Sequence, residues 1–129
     1  MNSAVSQMNL VFAWVWMLAG FVSGMLMGMK FQDENWLGGY GSFKRRMFRL
    51  GHISFFGLGA VNLFFHLSVK DAAAGEFAQY ASIAFIIGGL SMPACCWLMS
   101  MSKRFQGAFA VPLLSLIAGA ILTILELAL

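Results

Sequence analysis

The sequence predicts an all-α membrane protein, a four-transmembrane-helix bundle with both termini outside the cytoplasm and its third helix kinked at Pro93. Three observations carry that expectation. Of 129 residues, 60% are hydrophobic and 10% are charged, against about 45–50% and about 25% in soluble domains. A chain this short leaves much of its surface exposed on folding, so an apolar majority belongs in lipid. The thirteen charges also cluster: seven lie in residues 30–49, three in 70–76, two at Lys103 and Arg104, and Glu126 stands alone. Finally, the uncharged runs between them, 1–29, 50–69, 77–102 and 105–125, each reach the roughly 20 residues that cross about 30 Å of hydrocarbon. Alternating segments of the kind a barrel requires are absent.

The spans are expected at about Asn9–Met29, Phe48–Val69, Phe77–Met101 and Ala108–Leu127, forming one domain over residues 1–129. The first is read as a permanent helix rather than a secretory signal. It has no basic leader and ends in Met25-Leu26-Met27-Gly28-Met29, without a small-residue cleavage site. Its Gly20-x-x-x-Gly24-x-x-x-Gly28 stripe permits close backbone approach, either inside the bundle or across a homodimer. In the loop that follows, Trp36, Tyr40 and Phe43 are headgroup-level anchors around a Gly38-Gly39-Tyr40-Gly41 turn. No Walker-type ending accompanies these glycines, so they are not a nucleotide cradle. Ser42 is placed to cap the helix that carries Lys44, Arg45, Arg46 and Arg49 into the second span. In the third span Pro93 removes one backbone hydrogen bond and frees the carbonyl of Gly89, which predicts the kink. Pro112 falls in the first turns of the fourth helix, where proline is tolerated.

Orientation follows from the cations. Lys30, Lys44, Arg45, Arg46, Arg49, Lys103 and Arg104 share one side of the membrane, and only Lys70 lies on the other. Positive loops stay in the cytoplasm, which predicts an inner-membrane protein with its first and third loops inside. The net charge of +3 is then an interface with anionic lipid headgroups, not a nucleic-acid footprint.

Both histidines fall in the second span, and an ionisable or ligating side chain inside a membrane helix is costly enough to suggest function. His52 and His66 are fourteen residues apart, which returns them to one helical face about 21 Å apart along the axis. Gly59 lies midway on that stripe, leaving room for a bulky flat group. Arg45 and Arg49 extend the stripe at one end, Lys70 follows His66 at the other, and Asn62 precedes His66 by one turn. Asn62 is read as a partner for the His66 ring, for a quinone-like headgroup or for another helix.

The spacing of His52 and His66 is similar to that of di-haem b-type cytochromes, where one helix presents a histidine to each of two stacked haems. The resemblance covers this helix alone. It implies haem b ligated at His52 and at His66, with Arg45, Arg49 and Lys70 where propionates emerge. Two six-coordinate haems need four axial ligands, and the chain has two histidines. Met29 or Met99, the same histidine of a second copy, a single haem or five-coordinate iron would each resolve the shortfall.

A second constellation is Met92-Pro93-Ala94-Cys95-Cys96-Trp97-Leu98-Met99. Met92, Cys96 and Met99 share a face whose soft ligands suit copper(I), although such residues serve equally as gap-fillers. Glu126 reads as a hydrated charge near the end of the chain. No hydroxyl has a plausible general base beside it, so catalysis by the chain alone is not expected. The sequence therefore reads as a membrane subunit, a homo-oligomer or part of a larger complex, carrying haem and exchanging electrons with a quinone or cytochrome. A cofactor-free structural or assembly subunit is the alternative. A small transporter is a third reading, for which a polar pore lining is missing.

Overall fold

The computed structural model describes residues 2–73 and 75–129, with side chains from residue 4. The described residues form four long helices, α1 (Asn2–Lys30), α2 (Phe43–Val69), α3 (Glu76–Met101) and α4 (Ala110–Ala128), with 3₁₀ turns at Trp36–Gly38 and Lys103–Phe109. All four are long and apolar enough to cross a membrane. They begin or end outside the predicted spans, α1 from Asn2 and α2 from Phe43. Hydropathy locates the hydrocarbon segment, whereas a helix continues until a cap or glycine stops it.

The chain folds back on itself, α1 packing on α2, α2 on α3 and α3 on α4, with a lighter α1–α3 contact. One end of the bundle therefore carries the loop between α1 and α2 together with residues 102–109, and most of the cations. This is the cationic end. The other carries the chain termini and the α2–α3 connection, and is called the terminal end.

Small residues set the helix spacing, because lipid offers no hydrophobic gain for helix association and close van der Waals packing must replace it. Gly20 receives the Phe56 ring and Gly24 the His52 ring, so two glycines of the α1 stripe serve the α1–α2 contact. Gly28 has open space beside it. Across α3 and α4, Gly88 receives Leu116 and Gly119 receives Phe85. Phe65, Val69, Ala78, Ala81 and Phe85 make a buried apolar cluster towards the terminal end.

Polar groups then fix the register. Asn9 and Asn62 are both 0% exposed. Asn9 Nδ2 donates to Asn62 Oδ1 at 2.7 Å, Ser82 Oγ donates to Asn9 Oδ1, and Asn62 Nδ2 donates to the Leu58 carbonyl at 2.8 Å. Three helices are thereby joined through amides that would be costly to leave unpaired in lipid. α3 continues through Pro93 as one helix, and the carbonyl that proline frees is used: Trp16 Nε1 donates to Gly89 O at 2.9 Å.

Two end structures complete the frame. Ser42 caps α2 as expected, accepting from the Arg45 backbone N–H at 3.1 Å while its hydroxyl donates to Leu37 O at 2.6 Å. Glu126 is not merely a hydrated terminal charge. Its carboxylate accepts from the backbone N–H groups of Gly75 at 2.5 Å and Ala78 at 3.2 Å, so α4 caps the N-terminus of α3.

Candidate functional site

α2 presents His52 and His66 to α1, where each imidazole meets a serine. His52 Nδ1 lies 2.9 Å from Ser23 Oγ, and that hydroxyl lies 3.1 Å from the Gly20 carbonyl. A serine has one proton to give, and the carbonyl can only accept it. His52 Nδ1 is then the donor to Ser23, and its Nε2 keeps its lone pair on the edge of the ring that packs against Gly24. His66 reaches the same state differently: its Nδ1 lies 2.9 Å from the Ser6 carbonyl and 2.7 Å from Ser6 Oγ. The carbonyl assigns the proton to Nδ1, again leaving Nε2 as the acceptor or ligand nitrogen.

The surroundings of the two rings differ. His52 borders a cavity of about 480 Å³ between α1, α2 and α3, walled by Trp36, Phe48, Phe55, Cys96 and Trp97, with Lys30 at the cationic end. A volume in the range of about 300–1,000 Å³, an apolar wall and a few polar groups are the general features of a small-molecule site. The same ring borders a smaller cavity of about 170 Å³ that Gly24, Phe31, Arg49 and Ile53 complete. His66 lines neither cavity.

The remaining residues of the predicted stripe are not gathered into one site. Gly59 does not open onto a free slot. A Cβ there would meet the Ala13 carbonyl at 3.1 Å, Met17 Cγ at 3.3 Å and Trp16 Cβ at 3.6 Å, because α1 occupies the space expected for a flat group. Asn62 bonds to Asn9 rather than to His66. Arg45 does not project to the membrane surface but is 2% exposed among Phe31, Trp36 and Tyr40. Arg49 lines the smaller cavity, and Lys70 is half-exposed, 3.9 Å from Asp71. Of the two methionines considered as further ligands, Met29 shares the larger cavity with His52, whereas Met99 is buried and does not line it.

No known protein family, curated protein or solved structure matches the chain. Among the described residues, no three His, Cys, Asp or Glu side chains converge as a metal-binding group. Cys95 and Cys96 are free and buried, with Cys95 Sγ directed at the Ala108 carbonyl at 3.3 Å. Cys96 faces the larger cavity with His52. A lone imidazole at an apolar wall suits a group that brings its own equatorial ligands, or an apolar molecule with one hydrogen-bonding head.

Sequence reasoning missed Ser6 and Ser23, whose hydroxyls and carbonyl orient the imidazoles. Nothing in the composition marks these serines out. Their role appears only once α1 and α2 are paired antiparallel and the Gly24–His52 contact sets the register.

Proposed function

We propose that the chain is a small integral membrane electron-transfer subunit that holds one b-type haem in the cavity beside His52. The observation that carries this reading is the pairing of that cavity with an imidazole whose Nδ1–H is held by Ser23. Metal-ligating histidines characteristically donate their other ring N–H to a fixed acceptor, which sets the tautomer and aims the ligating nitrogen. The apolar wall suits a macrocycle, Lys30 suits a propionate, and Met29 supplies a second soft donor in the same cavity. Haem would supply one-electron chemistry, and the chain's own residues bind it, orient it and exclude water. His66 takes a different part in this reading: its bonds to Ser6 lock α2 to α1 at the terminal end.

The orientation that goes with it puts the cationic end in the cytoplasm and both termini outside, in an inner membrane. Pro93 lines the cavity, and on this reading it is where α3 is kinked.

The test is a reduced-minus-oxidised spectrum of protein purified in detergent after expression with ample haem. The expected result is a b-type α-band that disappears in His52→Ala and persists in His66→Ala. Absence of any α-band in the wild type would refute haem binding, and loss of the band in His66→Ala alone would refute the ligand.

A cofactor-free assembly subunit is the second reading. It is favoured by the hydrogen bonding of both imidazoles to α1 and by the fit of His52 into Gly24. On that reading His52→Ala lowers thermal stability and no spectrum changes.

A further inference from the structure

Arg45 is buried at 2% exposure, and its Nε and Nη1 have no hydrogen-bond partner. Phe31, Trp36 and Tyr40 surround the guanidinium, their ring centroids 5.2, 5.3 and 5.4 Å from Cζ. Ring faces stabilise the charge. They leave the in-plane N–H donors unmet, and a buried donor without an acceptor is destabilising. Arg49 lies over the same Tyr40 ring at 4.4 Å, so one tyrosine carries two guanidinium groups.

The neighbourhood adds positive charge, and although Asp33 and Glu34 share the loop, neither lies within 4 Å of a cation among the described residues. Lys44 and Arg46 flank Arg45 at the N-terminus of α2, where the helix dipole is itself positive. Among the described residues the one ion pair joins Lys70 to Asp71, at the terminal end. Unmet planar donors in a positive field, at a level marked by Trp36 and Tyr40, match an oxyanion with several acceptor oxygens. Guanidinium groups bind phosphate in that two-pronged manner. Tyr40, whose ring lies against both guanidinium groups, is itself 69% exposed and carried on a turn whose Gly38 and Gly39 have φ of +86° and +101°.

We propose that Arg45 and Arg49, with Tyr40 between them, form a phosphate-binding site at the cationic end that takes the phosphodiester of an anionic lipid headgroup. Phosphate binding here does not require a cofactor beside His52, although Trp36 also walls the larger cavity and Phe31 and Arg49 line the smaller one. Soluble phosphate offers the same oxygens, and the experiment separates the two sources.

The purified chain in neutral detergent is given dioleoylphosphatidylglycerol, dioleoylphosphatidylcholine or inorganic phosphate. Retained ligand is counted by native mass spectrometry, and thermal unfolding is followed in parallel. Phosphatidylglycerol is expected to be retained and to raise the Tm above the phosphatidylcholine value. Arg49→Gln should lower its retention about tenfold, the loss of one charge-assisted contact. Lys103→Gln, whose ammonium lies over Phe43 instead, should leave retention unchanged and so controls for diffuse charge. Arg45→Met should behave as Arg49→Gln does, and if it does not fold, Arg49→Gln carries the test alone. Retention of inorganic phosphate that equals the lipid's and needs Arg49 supports the phosphate site and assigns it to a soluble anion. Equal retention of the two lipids with no inorganic phosphate bound overturns the proposal, as do equal losses in Arg49→Gln and Lys103→Gln.

Discussion

His52 and His66 occupy one face of one helix, and each is tied through Nδ1 to a serine of α1, yet the two ends of the bundle around them are built differently. At the terminal end Asn9, Asn62 and Ser82 join three helices in a closed set of hydrogen bonds, beside the cluster of Phe65, Ala81 and Phe85. At the cationic end a cavity of about 480 Å³ lies against His52, and Arg45 keeps two buried donors unmet. Identical residue types on one stripe thus acquire different surroundings from what packs over them. An interior normally closes to crystal-like density, and on the proposed reading the space left beside His52 is where the cofactor sits.

The comparison is most strongly tested by adding volume at each end. Ala81→Leu forces a side chain into the buried cluster with Phe65 and Phe85 at the terminal end, and should destabilise the fold by about 2–3 kcal/mol, the upper part of the overpacking range. Cys96→Leu adds volume to a cavity wall and should cost less than about 1 kcal/mol, because space is already there. Thermal unfolding of the two variants in one detergent checks the pair. Equal losses would show that the two ends are packed alike.

A smaller effect is expected from the polar set at the terminal end. Asn62→Leu leaves the Asn9 amide without its α2 acceptor, and should cost about 1–2 kcal/mol, near the upper limit measured for hydrogen bonds between membrane helices. Smaller again is Trp16→Phe, which keeps the ring and removes the donor to the Gly89 carbonyl. It should cost about 1 kcal/mol, read from the unfolding midpoint. A neutral result would mean that the carbonyl freed by Pro93 tolerates having no partner.

Much of the frame was legible in the sequence because charge and hydropathy are local. The four spans, the Ser42 cap, the carbonyl freed at Gly89 and the common face of the two histidines all follow from residues close together in the chain. What covers that face did not follow. Gly59 offers a gap to any neighbour, and whether a cofactor or a helix fills it depends on α1, some forty residues away in sequence, whose Ala13 and Met17 take the space. The same limit hid Ser6 and Ser23 as partners of the imidazoles, and Glu126 as a cap for α3. Arg45 misled for another reason. Cations at a span's edge are ordinarily solvated, and only the folded loop brings Phe31, Trp36 and Tyr40 around this one.

The most direct test of the different uses of His52 and His66 is the haem-to-protein ratio of the purified chain, from pyridine haemochrome absorbance against quantitative amino-acid analysis. One haem per chain is the predicted result, with the His52 end holding the cofactor and the His66 end closed. Two haems per chain, or none after expression with ample haem, would contradict it.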